Sequence, residues 1–202
     1  MRRDLGTVLI IPGLNGHPGL LMRAAPTLFR DSRALAFNHH QDMAEGGVEG
    51  LAARAFAFLD REAPDQRVIV CGESFGGSVA LTMAHLRPER VKGLILLSAF
   101  GRYPSQLARR GVGAMATWSF LKLKLKLGGR ISGATYQAGR FVSVPGQLGL
   151  RVTADLLRSY ISRPRAYVPA YSEKVELSLA FDARPWLASL TCPTFVLAGT
   201  WD

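Results

Sequence analysis

The chain has 202 residues, enough for one domain with a sizeable core, and its 48% hydrophobic and 20% charged content is ordinary for a globular protein. Two cysteines cannot form a disulfide framework, no group of residues has metal-ligand spacing, and no stretch approaches the roughly 20 apolar residues that cross a bilayer. The net charge of +10 comes from residues 101–180, which hold 13 Lys and Arg against 3 Asp and Glu.

Predicted strands and helices alternate through the first hundred residues. Thr7–Ile11 is a continuous apolar, β-branched run closed by Pro-Gly, which predicts a buried strand. Apolar residues recur at helical spacing over residues 48–62 and predict an amphipathic helix. Its predicted buried stripe consists of Val48, Leu51, Ala52, Ala55, Phe58 and Leu59. The other predicted elements are a short helix at Arg23–Phe29, strands at Ala34–Phe37, Arg67–Cys71 and Val91–Ser98, and a helix at Ser74–Leu86. This alternation predicts an α/β fold with a mostly parallel sheet and flanking helices.

Residues 101–180 interrupt that alternation, because they are basic, dotted with glycine and poor in strand patterns. Within them, Leu121–Leu127 alternates leucine with lysine. Alternation favours a strand, whereas both residue types favour a helix, and the two interpretations stay open. The chain then predicts a short helix over Asp182–Leu190 and a final strand over Thr194–Ala198.

The most informative stretch is residues 68–79, where Ser74 lies between Gly72 and Gly76 in the pattern G-x-S-x-G. A strand precedes the pattern and a helix follows it, which is the setting of a nucleophile elbow. The turn is so tight that both glycines must be small. It is expected to hold the Ser74 hydroxyl at the carboxyl end of the sheet, above the amino end of a helix.

With these residues, and over Thr7–Gly16, Val68–Phe100 and Pro193–Asp202, the chain resembles the α/β-hydrolase fold family of serine hydrolases and esterases. The resemblance implies that residues 1–100 are the first part of the hydrolase core. Residues 101–180 would be a basic, mainly helical cap, and residues 181–202 an incomplete continuation of the core.

The resemblance also implies roles for particular residues. Ser74 would be the nucleophile, and Asp202, three residues beyond a glycine that follows the last strand, would be the catalytic acid. The backbone amides of Phe75 and Leu14 would form the oxyanion hole, with Asn15 as the second candidate for the latter.

Three residues are expected near the substrate, namely Asn15 and His17 in the oxyanion loop and His39 after the second strand. Pro12 stands where histidine is common in the family, which leaves the register of that loop open by one residue.

The general base has no counterpart at the expected place. In the family a histidine follows the acid after one more strand, whereas this chain ends at Asp202. None of its four histidines, His17, His39, His40 and His85, is a good substitute. We therefore expect the chain to be the amino-terminal part of a longer hydrolase, inactive or weakly active in this form, with Thr194–Ala198 as an apolar sheet edge prone to aggregation.

The predicted function is hydrolysis of an ester or related acyl bond in a small, partly apolar molecule, without a cofactor. Two alternatives are an acyltransferase or thioesterase that acts on carrier-bound acyl groups, and a non-catalytic hydrolase-like binding scaffold. The basic cap would suit an acidic carrier protein or an anionic membrane surface. No recognition motif supports nucleic-acid binding. The absence of an export pattern predicts a cytoplasmic location.

Overall fold

The computed structural model describes residues 6–14, 16, 18–39, 44–103 and 164–198. Its centre is a five-stranded sheet in the order β2-β1-β3-β4-β5, and every neighbouring pair of strands is parallel. The strands are β1 (Thr7–Ile11), β2 (Arg33–Ala36), β3 (Val68–Glu73), β4 (Val91–Leu97) and β5 (Thr194–Leu197). The described helices are α1 (Gly19–Leu28), α2 (Gly47–Glu62), α3 (Phe75–Leu86), α4 (Pro164–Ala180) and α5 (Arg184–Leu187).

The predicted parallel α/β fold is confirmed, and most of the elements lie where the sequence places them. β1 has the predicted bounds, whereas β3 continues two residues beyond its predicted end to Glu73. The predicted helix over Asp182–Leu190 is shorter in the structure, where only the four residues of α5 are helical, with Pro185 in the first turn. Proline suits that position because its missing amide proton would have no intrahelical acceptor there.

The sheet buries apolar side chains on both faces. Along β1, Val8 and Ile10 belong to one core cluster, whereas Leu9 and Ile11 belong to the other. Side chains of α1 pack on the first cluster, and α2 and α3 supply much of the second. All four of these β1 side chains are at most 1% exposed, as an interior parallel strand requires.

The buried stripe of α2 differs from the predicted one at a single position. Phe56 is buried, whereas the predicted core residue Phe58 is only partly buried. The guanidinium of Arg87 lies 4.7 Å from the centroid of the Phe56 ring and covers it. This contact comes from the segment after α3, so the periodicity of α2 could not show it.

The chain divides into two compact units, one of residues 1–103 with 173–202 and the other of residues 104–172. The first unit contains the whole sheet. Most of the predicted cap, including Leu121–Leu127, lies outside the described residues. None of the described helices combines the length and the apolar character that crossing a membrane requires.

Candidate active site

A single residue, Ser74, connects β3 to α3. Its φ of 51° and ψ of −118° lie in a sparsely populated region of backbone space, where holding a side chain costs on the order of 1–3 kcal/mol. Two hydrogen bonds hold this conformation: the Ser74 amide donates to the Leu97 carbonyl at 2.8 Å, and the Ser74 carbonyl accepts from the Gly77 amide at 2.9 Å. Ser74 is only partly buried. The turn therefore presents serine at the carboxyl end of the sheet and at the positive end of the α3 dipole.

Three glycines allow the close packing around this turn. A Cβ on Gly72 would lie 2.5 Å from the carbonyl oxygen of Gly76, and a Cβ on Gly76 would lie 2.2 Å from that of Ile11. Both distances are far below a van der Waals contact, so the predicted need for small residues at these two positions is confirmed. Gly77 has the same constraint, since its Cβ would lie 2.2 Å from the Cβ of Ala99. The five-residue motif does not include Gly77, and the double glycine was the only hint of it in the sequence.

The loop after β1 lies against the turn at Ser74, which is called the nucleophile turn after its predicted role. A Cβ on Gly13 would lie 3.4 Å from both the Ser74 Cβ and the Glu73 carbonyl oxygen. The Gly13 amide donates to Glu73 Oε2 at 3.4 Å, and the Gly16 amide donates to the Gly13 carbonyl at 2.9 Å, which closes a turn. Leu14 lies inside that turn and packs on the larger core cluster. Leu14 therefore comes directly after Gly13, the residue whose backbone approaches Ser74.

The second predicted oxyanion donor is the amide of Phe75, the first residue of α3. The first amides of a helix have no intrahelical acceptor, and the helix dipole favours negative charge beside them. The Phe75 side chain is completely buried. The two segments that would supply the oxyanion amides, at Leu14 and Phe75, thus meet at the nucleophile turn.

His39 does not have the position that the sequence predicts for it. Its side chain is 0% exposed, and the ring lies 6.3 Å from that of Phe75 in an edge-on arrangement. Nε2 is 3.1 Å from the Pro12 carbonyl oxygen. Since a carbonyl only accepts, Nε2 carries the proton and Nδ1 is an acceptor. His39 is therefore buried against the loop after β1, contrary to its predicted place near the substrate.

Burial keeps the His39 ring neutral. Desolvation, with a contribution from the nearby Lys174 ammonium, lowers the pKa of His39 from its ordinary value of 6.5 to about 3. Nδ1 has no hydrogen-bond partner among the residues that the structure describes. No sequence pattern could indicate this burial, because it results from packing against Phe75 and the Pro12 segment.

The two described histidines do not supply a general base. His39 is 0% exposed with a pKa lowered to about 3 by desolvation, and His85 is exposed and stacks on Trp186 with ring centroids 4.4 Å apart. His17 and His40 lie outside the described residues, as do the predicted site residues Asn15 and Asp202.

The cysteines take no part in the site. Burial raises the pKa of the Cys71 thiol to about 12, so this residue is a protonated core side chain. Cys192 is partly buried, packs on the larger core cluster and forms no disulfide. Within the described ranges, no cluster of three or more His, Cys, Asp or Glu side chains could hold a metal ion.

The geometry around Ser74 agrees with the protein family that the sequence matches. Residues 48–202 match the family model described as serine aminopeptidase, S33. The chain belongs to this family. The match includes the nucleophile turn and both flanking elements, and the parallel sheet with its helices is that of the α/β hydrolases.

Two curated proteins are similar in sequence. Polyketide synthase ThaQ of Burkholderia thailandensis is 30% identical over 216 residues, which cover 96% of this chain and 9% of that protein. RutD of Stutzerimonas stutzeri, whose name describes a carbamate hydrolase, is 24% identical over 212 residues. That match covers 100% of this chain and 76% of RutD.

Among solved structures, the enol-lactonase of Burkholderia xenovorans superimposes with a TM-score of 0.73 at 17% identity. The similarity covers 98% of this chain and 74% of the lactonase, and at this identity it concerns the fold alone.

Proposed function

We propose that this protein is a serine hydrolase that cleaves an ester or a related acyl bond, with Ser74 as the nucleophile. The observation that carries the proposal is the strained, half-buried Ser74 between β3 and α3, with the Gly13 loop packed beside it. Strain of this kind persists where the surrounding structure enforces it, and it clusters at active sites.

In the proposed reaction the Ser74 oxygen attacks the acyl carbon, and the amides of Phe75 and Leu14 stabilise the negative charge on the acyl oxygen. A general base outside the described residues takes the serine proton and passes it to the leaving group. Water then releases the acyl group from Ser74. Asp202 is proposed to orient the base, and Asn15 and His17 to contact substrate.

A fluorophosphonate probe tests the nucleophile directly, because it phosphonylates an activated serine. We expect one adduct on the wild-type chain, detected by intact-protein mass spectrometry, and none on Ser74→Ala. The matched control is Ser78→Ala, since Ser78 is a completely buried serine one turn further along α3. This variant should be labelled like the wild type.

Two results would count against the proposal. Equal labelling of Ser74→Ala would mean that another residue reacts. If the wild-type chain resists the probe and fails to hydrolyse p-nitrophenyl acetate, and a version extended beyond Asp202 also stays unlabelled, the non-catalytic scaffold would be favoured.

A second candidate is acyl transfer or thioester hydrolysis on carrier-bound acyl groups. The 30% identity with a segment of a polyketide synthase favours it, together with the ten-charge surplus of residues 101–180. An acidic carrier protein would be attracted by such a surplus, and salt would screen the attraction. We therefore expect kcat/KM for a carrier-bound thioester to fall as NaCl rises from about 0.05 to 0.5 M, more steeply than for a neutral ester. Parallel slopes would argue against a carrier.

A further inference from the structure

Two buried polar side chains, His39 and Lys174, lie behind the nucleophile turn and have no part in the proposed chemistry. Both are 0% exposed. A lysine is rarely buried without a hydrogen-bond acceptor, because removing its charge from water is costly. In this protein Lys174 Nζ donates to the carbonyl oxygen of His39.

The helix that carries Lys174 is attached to the segment after β2 at two successive residues. Besides the Lys174 contact, Glu173 Oε2 accepts from the Ala44 amide at 2.6 Å. Both contacts join side chains of α4 to backbone groups on either side of residues 40–43. The backbone of His39 is therefore held from α4, more than 130 positions away in the chain.

His39 in turn makes two hydrogen bonds to the loop after β1, one from its ring and one from its backbone amide. Its Nε2 donates to the Pro12 carbonyl at 3.1 Å, and the His39 amide donates to the Gly16 carbonyl at 3.1 Å. These two bonds hold the loop at both of its ends, with Gly13 and Leu14 between them.

The Pro12 carbonyl is also confined from the other side, by α3. A Cβ on Gly76 would lie 2.5 Å from the Pro12 carbonyl oxygen, so helix and loop are already in close contact there. Without the His39 N–H, this buried carbonyl would lose its donor and the loop would lose the bond that fixes its distance from Ser74. Errors of about 1 Å at such a position cost on the order of 100-fold in rate.

From these contacts we propose that His39 and Lys174 are positioning residues: Lys174 fixes the His39 backbone, and the His39 ring fixes the Pro12–Leu14 segment beside Ser74. The inference rests on the proposed function, because it assigns this segment to the oxyanion hole. The pair acts through backbone groups and does not touch the reacting atoms.

The test uses nearly isosteric substitutions. His39→Gln retains an N–H that can reach the Pro12 carbonyl, whereas His39→Met has similar length and no donor. Lys174→Met removes the ammonium and keeps most of the aliphatic chain. Lys92→Met is the control for loss of a lysine, since Lys92 is exposed on β4.

Two measurements are made on each variant: amide hydrogen exchange of residues 13–16, with α2 as the internal reference, and the rate of fluorophosphonate labelling. In His39→Met and Lys174→Met we expect exchange in the loop to accelerate about tenfold and labelling to slow about tenfold, with α2 unchanged. His39→Gln and Lys92→Met should stay within about twofold of the wild type.

Loop exchange that is unchanged in His39→Met, or as fast in His39→Gln as in His39→Met, would overturn the inference. If the wild type is never labelled, the proposed function fails, but the exchange experiment still decides whether the pair holds the loop. Faster exchange with unchanged labelling would show that the held segment is not part of the oxyanion site, which also overturns the inference.

Discussion

Replacing Gly76 with alanine tests whether the close contact between α3 and the end of β1 supports both stability and reactivity. The added Cβ would lie 2.2 Å from the Ile11 carbonyl oxygen and 2.5 Å from that of Pro12. An ordinary carbon–oxygen contact is about 3.3 Å or longer, so the overlap is about 1 Å. Both oxygens belong to backbone at the end of a central strand, and neither can move away by a side-chain rotation.

Two effects of opposite sign compete in this variant. Alanine is favoured over glycine inside a helix by about 1 kcal/mol, whereas overpacking of a rigid site costs typically 1–3 kcal/mol and occasionally more. Because the overlap is with backbone, we expect the clash to dominate, with a net loss of about 2 kcal/mol in the free energy of unfolding. Relief of the overlap would move the loop after β1, the proposed oxyanion loop, by about 0.5–1 Å. Labelling of Ser74 should therefore slow by about 10- to 100-fold.

The assays are urea denaturation followed by circular dichroism, and the rate of fluorophosphonate labelling. Gly101→Ala is the matched control, because its Cβ would meet only Leu187 Cδ2 at 3.5 Å, an ordinary contact. It should leave both quantities near the wild-type values. A Gly76→Ala protein as stable as the wild type and labelled at the same rate would refute the packing argument.

Three further predictions concern backbone strain, pH and the sheet edge. Ser74→Gly should abolish labelling yet raise the free energy of unfolding by about 1 kcal/mol, because glycine tolerates the positive φ of 51°. Lowering the pH from about 6.5 to about 3 should reduce the free energy of unfolding through His39 by up to about 1.4 kcal/mol per pH unit. The unfolded chain takes up a proton there, whereas the buried ring, with a pKa of about 3, does not. Val196→Lys should reduce self-association measured by sedimentation velocity, since Phe195, Val196 and Leu197 on edge strand β5 are 61%, 60% and 55% exposed.

Each of these has a contrary result. Ser74→Ala keeps the strain, so a stability gain in Ser74→Ala equal to that in Ser74→Gly would exclude strain relief as the cause. For the pH effect, His39→Gln should lack the histidine part of the slope, although Lys174 and Arg54 still face that position. An identical slope in variant and wild type would contradict the assignment. If Val196→Lys self-associates as strongly as the wild type, the exposed strand β5 is not the cause of self-association.

The sequence alone was sufficient to predict the strands and the turn at Ser74. Both depend mainly on residues that are close together in the chain. A β-branched run, two glycines around Ser74 and a following helix former dictate the backbone path through steric exclusion and helix propensity. The motif also predicted that Gly72 and Gly76 must be small. The constraint on Gly72 is local, from the Gly76 carbonyl, whereas the constraint on Gly76 comes from the distant carbonyls of Ile11 and Pro12.

The family match, which covers residues 48–202, contains that turn as well. The pattern around Ser74 was therefore enough to identify the α/β-hydrolase fold from the sequence. The pattern does not identify the acyl group or the leaving group of a substrate. Those depend on the shape of the pocket, which is formed by side chains from separate segments of the chain.

Only the tertiary structure decided the burial of His39, the need for Gly77 and the choice of Phe56 over Phe58 in the core. Each of these depends on a partner distant in the sequence: Phe75 and Lys174 for the histidine, Ala99 for the glycine, and Arg87 for the phenylalanine. Burial and close contact are properties of the assembled chain, so no periodicity within one element can encode them. A histidine after a strand looks the same in the sequence whether it faces a substrate or supports a loop from behind.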